Sequence, residues 1–315
     1  TYVITATDSK NSTDTQTVAV TITGTNDAPV ISVESGDLAS KSIGETNAKL
    51  NTTGTLTVTD VDVTDTTAVS VTSVTETGTT SGINNSTLKA MMSVTSGNIL
   101  TNSATQKQFN WAFDSDGEAF DYLAVTESLV LTYVITATDS KNSTDTQTVV
   151  VTITGTNDDP KVSSEITSAV NDASATYTID LTTNATDVDA SDVLGVSSVV
   201  YTVDGAQTGN SGADLPTGIT RSGKSLTVEP SHSVFKSLAT SETSVIVVSY
   251  NVNDDNAGQV AQSATITITG TSVTVTINVG DWDSEEKLDG GSGGNGILKI
   301  LGDGAIDFTE ATNLS

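Results

Sequence analysis

At 315 residues the chain is long enough for two or three domains, each with a core of its own. Hydrophobic residues make up 35% and aromatic residues 4%, while 58 Thr favour strands through their branched Cβ, so the composition points to an all-β protein. Twelve Lys+Arg against 39 Asp+Glu leave a net charge of −27, which repels phosphate backbones and anionic lipid and excludes nucleic acid and membrane surfaces as partners.

Residues 1–29, TYVITATDSKNSTDTQTVAVTITGTNDAP, open with two alternating runs: Val18, Val20 and Ile22 fall on one face, and Thr17, Thr21 and Thr23 on the other. An acidic corner follows the next strand, LTVTD, with Asp60, Asp62 and Asp65. The corner leads into residues 78–108, which are extra length relative to the later repeat, and then to Trp111, read as a core residue. AFDYLAVTES at 119–128 reads as a short helical turn. Residues 132–160 then repeat residues 1–29 with two differences, Ala19 against Val150 and Ala28 against Asp159.

The same order recurs beyond that point. The corner NATDVDASD carries Asp187, Asp189 and Asp192 at the spacing of the first. VFKSLATSET at 234–243 matches the earlier helical turn, and residues 248–271 form a divergent third copy, with Tyr250 aligned to Tyr2 and Tyr133. Many short alternating strands punctuated by Gly, Asn and Asp predict antiparallel Greek-key β-sandwiches in tandem. The expected boundaries are 1–27 as the closing strands of a preceding repeat, 28–158 and 159–271 as sandwiches, and 272–315 as a linker and the start of a further Gly-rich segment. The chain starts inside a repeat and stops just after a new pattern begins, as a piece of something longer would. No stretch approaches ~18 apolar residues, so no helical membrane insertion is expected, and with 0 Cys no disulfide framework is available.

TYVITATDS, the TDTQTVVVTITGTND run and the DVD corner resemble the VCBS and cadherin-like repeats of giant bacterial surface adhesins, over most of residues 1–271. The resemblance implies tandem immunoglobulin- or cadherin-like β-sandwich domains in a linear array. It also implies type I secretion to the cell surface, calcium binding, and a role as an extender in adhesion or biofilm formation. In such folds Ca2+ lies at the junction between neighbouring repeats, held by a linker Asn-Asp, a DxD corner and an acidic residue of the previous repeat. Asn26, Asp27, Asp60 and Asp62 match one such set, and Asn157, Asp158, Asp187 and Asp189 the other. Asp8 and Asp139 are candidates for the upstream contribution, with Glu127 and Glu242 behind them. The third junction departs from the pattern, with Ser272 and Val273 where Asn-Asp would stand.

Read from the residues alone, calcium needs six to eight oxygens, and alternate strand positions would aim Asp60 with Asp62, and Asp187 with Asp189, in one direction. Asp65 and Asp192 could fold back toward them. The competing reading of every one of these Asp residues is that of a turn former bonding its own backbone. The tail adds Asp281, Trp282, Asp283, Glu285 and Glu286, and a Gly-rich run at 290–298 that fits a calcium nonapeptide with Asn295 in place of Asp, or else a plain linker.

No catalytic constellation emerges. His232, the sole His, reads as a surface residue, and the two Trp offer no paired sugar platform. Three functional readings compete: a calcium-stiffened extender contacting neighbouring repeats; a filament subunit whose residues 1–27 complete a neighbouring molecule's sandwich; and a module binding a surface glycan or peptide, with residues 78–108 as its candidate site.

Overall fold

The computed structural model describes residues 1–101, 103–208 and 213–271, with the strands Thr274–Asn278 and Ile297–Leu301 described by backbone only. Ser272, Val273, the tail cluster Asp281–Glu286 and the Gly-rich run through Asn295 lie outside the described residues. The chain divides into two compact units, Thr1–Gly155 and Thr156–Ser315.

The first unit runs β1 (Tyr2–Thr7), β2 (Thr13–Val18), β3 (Val30–Ser32), β4 (Ser40–Gly44), β5 (Asn51–Thr59), β6 (Thr67–Thr77), α1 (Asn85–Ala90), β7 (Met92–Val94), β8 (Asn98–Leu100), β9 (Gln106–Asp114), β10 (Ser128–Asp139) and β11 (Thr144–Thr154). A five-stranded sheet, β4-β11-β10-β6-β8, faces a four-stranded one, β3-β5-β9-β7. The alternation in β10 does what period two requires: Leu129, Leu131, Tyr133, Ile135 and Ala137 are fully buried, and Val149, Val151 and Ile153 of β11 join them. Leu56, Val58, Phe109, Trp111 and Phe113 meet them from the other sheet. Trp111 is a core residue, as expected; its indole N–H donates to Leu38 O at 2.7 Å, and Gly54 lies so close to the ring that no Cβ fits there. Tyr133 Oη donates to Leu88 O at 2.8 Å, and burial pushes its phenol above the ordinary value.

Residues 78–108 are built inward. Asn84 caps α1 by accepting from Thr87 N at 3.0 Å, and Leu88, Met91, Met92, Ile99 and Leu100 all enter the core. The apolar side chains of the segment singled out as a ligand-binding candidate therefore close the sandwich. The short helical turn expected at 119–128 is a pair of isolated turns, closed by Leu123 N→Phe120 O and Glu127 N→Ala124 O, and Phe120 at φ 65° is outside the helical region.

The hairpin β1–β2 keeps the register of its twin: Tyr2 opposes Val18 as Tyr133 opposes Val149. Here the apolar face is open. Tyr2 is 66% and Ile4 57% exposed, whereas Tyr133 and Ile135 are both at 0%.

The second unit runs β12 (Lys161–Val162), β13 (Ile166–Asn171), β14 (Tyr177–Asp180), β15 (Ala185–Thr186), β16 (Gly195–Val203), β17 (Ala206–Gln207), β18 (Ile219–Ser222), β19 (Ser225–Val228), α2 (Ser233–Lys236), β20 (Thr243–Asn253) and β21 (Gln259–Thr269). The sheet β13-β21-β20-β16-β17 repeats the first unit's large sheet, parallel edge pair included, and the smaller layers are β14-β19-β18 and β12-β15. Beyond them β22 (Thr274–Asn278) pairs in parallel with β23 (Ile297–Leu301). The helical turn expected at 234–243 is α2, which starts one residue earlier; half-buried His232 caps it, with its ring nitrogen accepting from Val234 N at 3.3 Å.

Two expectations shift by a few residues. Asn157 and Asp158 belong to the second unit rather than closing the first, because their hydrogen bonds go to Asp254 and Asp189. Counted from the hairpin turn, the counterpart of Tyr133 is Val248, since Tyr133 opposes Val149 and Val248 opposes Ala264, each five residues past the first residue of the return strand. Tyr250 lies two residues further on, and a two-residue shift keeps it on the buried face, where its hydroxyl donates to Leu181 O at 2.7 Å.

Candidate metal centre

Each acidic corner follows a strand end and is a turn, not a continuation of the strand. β5 stops at Thr59, and Asp60 Oδ1 accepts from Asp62 N at 3.0 Å; Asp65 N then donates to Asp62 O. β15 stops at Thr186, and Asp187 Oδ1 accepts from Asp189 N at 3.0 Å, with Asp192 N donating to Asp189 O. Strand alternation therefore does not aim these carboxylates; an Asx turn does, and the backbone turns back from Asp62 to Asp65 and from Asp189 to Asp192. One oxygen of the first Asp is used for the turn, which leaves its second oxygen for something else.

The Asn-Asp segment docks on the same corner twice. Asp27 N donates to Asp62 Oδ2 at 2.7 Å, and Asp158 N to Asp189 Oδ2 at 2.9 Å. Asn26 Nδ2 donates to Asp139 Oδ2 at 2.9 Å, and Asn157 Nδ2 to Asp254 Oδ2 at 3.0 Å. Asp139 thus stands with Asn26, Asp27, Asp60 and Asp62 of its own unit. Asp254 is its counterpart and was not singled out in the sequence. Each of these two residues also organises its hairpin turn through Oδ1, which accepts from Lys141 N and Ser143 N, or from Asn256 N and Gly258 N, all at 2.8 Å. Gly258 stands where Ser143 does, and a Cβ there would run into Asn157 and Asp254. Asp8 builds the same turn in the β1–β2 hairpin, accepting from Lys10 N and Ser12 N. Glu127 and Glu242 each accept from a backbone amide three residues earlier, Ala124 N and Ala239 N.

The corners differ in what satisfies their remaining oxygens. In the first, Asp60 Oδ2 accepts from Thr67 Oγ1 at 3.1 Å, and Asp65 Oδ1 accepts from Lys141 Nζ at 2.8 Å. Burial opposes ionisation of Asp139, but hydrogen bonds from Asn26, Ser143 and Lys141 hold its carboxyl below the ordinary value. In the second, Leu194 replaces Thr67 and Asn256 replaces Lys141, with Asn256 Nδ2 reaching Asp192 Oδ1 at 3.0 Å. Asp187 Oδ2, Asp189 Oδ1 and Asp192 Oδ2 are buried without a hydrogen-bond partner among the described residues, as is Asn157 Oδ1.

Asp187, Asp189 and Asp192 converge, one carboxylate oxygen from each lying within 4.8 Å of the others. Asp60, Asp62 and Asp65 form no such triad among the described residues. Asp189 is only 2% exposed, and its burial, reinforced by the negative charges of Asp192, Asp187 and Asp158, pushes its carboxyl up to about 6. Asp192 is raised too, by burial and then by Asp255 and Asp187, against its bond from Asn256. A triad of carboxylates each with one unpartnered oxygen is a donor set that suits a hard divalent cation.

No family model matches the chain, and no curated protein matches it. Among solved structures, the chain is similar to the protocadherin γB4 extracellular domain, at 11% identity over 89% of this chain and 42% of that one with a TM-score of 0.45. It is also similar to mouse protocadherin-24 EC1–3, at 18% identity over 85% and 78% with a TM-score of 0.38. A titin Z1Z2 structure in complex with telethonin aligns at 14% identity over 78% and 99% with a TM-score of 0.26. The chain spans less than half the length of the protocadherin γB4 structure it matches. The fold assignment rests on the strand order and register described above. Among the described residues no helix is long and apolar enough to cross a membrane.

Proposed function

We propose that the chain is a calcium-binding structural segment of an extracellular adhesin, in which Ca2+ bound at the acidic corners fastens the Asn-Asp segment that enters each sandwich and stiffens the array as an extender. The observation that carries this reading is the triad Asp187, Asp189 and Asp192, three carboxylates with three buried oxygens that no hydrogen bond satisfies among the described residues. Unpartnered buried carboxylate oxygens are costly, and a divalent cation removes both the hydrogen-bond deficit and the mutual repulsion. Extracellular modules bind calcium at ~10⁻⁴ to 10⁻³ M, so such a site fills outside cells and empties in cytosol. The resemblance of the TYVITATDS, TDTQT and DVD motifs to bacterial adhesin repeats supports the extracellular, bacterial-surface assignment.

The test is thermal unfolding in about 5 mM calcium chloride against EDTA, a concentration above the weak extracellular range. Calcium is expected to raise the melting temperature by about 3–8 °C, and Asp187→Ala and Asp60→Ala to blunt the rise. An identical melting curve in both conditions would leave the corners as turns and nothing more.

One observation favours a second reading, strand complementation between molecules. The β1–β2 hairpin exposes Tyr2, Ile4 and Val18, although their counterparts Tyr133, Ile135 and Val149 in β10–β11 pack a sandwich interior. Sedimentation velocity of the full chain and of a version lacking residues 1–27 decides it. Association that disappears with the deletion supports complementation, and a monomer in both cases removes it.

A further inference from the structure

The two corners share their backbone, their Asn-Asp segment and their Asp spacing, yet the residue two positions after the turn Asp is Lys141 in one and Asn256 in the other. Lys141 does not project freely from its hairpin. Its Nζ lies 2.8 Å from Asp65 Oδ1, and Asp139 and Asp62 add attraction from the same direction. The Asp65 side chain is 3% exposed and that of Lys141 58%, so a buried carboxylate is met by an ammonium whose stem lies in solvent. Among the described residues the other oxygen of Asp65 is buried and unpartnered, the same deficit that each carboxylate of the second corner carries. Asn256 makes the equivalent contact, to Asp192, without bringing charge.

We propose that Lys141 is a built-in occupant of the first corner: its ammonium takes the place of a divalent cation, so that the two repeats bind calcium with graded affinity, the second tightly and the first weakly. This rests on the calcium reading of the corners given above and adds which residue sets the difference. A divalent ion entering the first corner must displace the ammonium or tolerate a positive charge beside it, and either lowers its affinity. The exposed stem makes displacement feasible, since Lys141 can swing into water without unpacking the core. Thr67 acts in the same direction by donating to the one Asp60 oxygen that the second corner, with Leu194, leaves free. The first repeat is then a sandwich that holds its corner closed at low calcium, and the second is the one that responds.

Isothermal titration of the full chain with calcium chloride tests this with four proteins: wild type, Lys141→Asn, Asn256→Lys and Asp189→Asn. Wild type is expected to show a tighter site that Asp189→Asn removes. Lys141→Asn should tighten the weaker site about tenfold or more, and Asn256→Lys should weaken the tighter one by a similar factor. Both exchanged positions lie in an exposed turn, and circular dichroism melts in EDTA confirm that the variants fold. If Asp189→Asn removes a site while Lys141→Asn and wild type give superimposable isotherms, the occupancy proposal falls and calcium binding stands. If neither wild type nor Lys141→Asn takes up calcium, the corners are not calcium sites and both readings fall.

Discussion

The first and second acidic corners are the same turn solved with two different charge balances. In the first, Thr67 and the amide of Asp27 donate to the carboxylates, and Lys141 offsets one of their charges. In the second, Leu194 and Asn256 stand at the matching positions, three carboxylates converge, and Asp189 is held up to about 6. Identical spacing therefore does not mean identical chemistry. The Asp pattern specifies the turn, and the residues opposite it specify how many of its carboxylate oxygens the protein itself satisfies.

The largest break in this comparison is Asp189→Asn. The amide oxygen keeps the bond from Asp158 N and removes one charge of the triad, so calcium stabilisation of the second unit should vanish, while in EDTA the variant should be more stable than wild type by about 1–3 kcal/mol near pH 7. Denaturant unfolding with and without calcium, followed by hydrogen exchange of the β20–β21 amides, reads both signs at once.

Acidification probes the same imbalance without mutation. A carboxyl raised from 3.8 to about 6 binds its proton more tightly in the folded state, so its contribution is fully present below its unfolded value and is lost as pH rises through 6. In EDTA the second unit should gain stability as the pH falls from 7 toward 5, and saturating calcium should flatten that dependence. A second unit whose stability in EDTA is unchanged or falls over this range would contradict the repulsion assigned to the triad.

Smaller effects sharpen the contrast from the other side. Thr67→Val keeps the shape of a side chain that is almost wholly buried and deletes the donor to Asp60 Oδ2, for an expected loss of about 1–2 kcal/mol in EDTA that calcium partly restores. Leu194→Thr makes the reverse exchange; supplying a hydroxyl toward Asp187 Oδ2 should weaken calcium binding about threefold. If Leu194→Thr tightened binding instead, the unpartnered oxygen would not be the feature that recruits the ion.

Much of the fold was legible because period-two alternation in 128–139, 144–154 and 243–269 is carried by β-branched and aromatic residues that the structure buries on one face. The Asn-Asp and DxD segments were legible as partners because they recur in the same order, and the structure brings Asp27 to Asp62 and Asp158 to Asp189. Asp254 was hidden by a two-residue shift: with Tyr250 aligned to Tyr133, the turn Asp fell out of line with Asp139 in the run NVNDDN. α1 escaped notice because its six residues bury one side chain, Leu88, and give no helical period to read. The role of Lys141 was out of reach in principle, since Asp65 lies 76 residues away and only the folded sheet brings them together. The open face of β1–β2 shows the same limit, because alternation marks which face is apolar and does not say what covers it.

The most direct test of the central claim is an NMR titration of the uniformly ¹⁵N-labelled full chain with calcium chloride, following backbone amides. The account predicts that Asp158 and Asp187–Asp192 shift first, at sub-millimolar to millimolar calcium, with Asp27 and Asp60–Asp65 following only at higher concentration. Amides of the second corner that do not move, or that move only after those of the first, would contradict it.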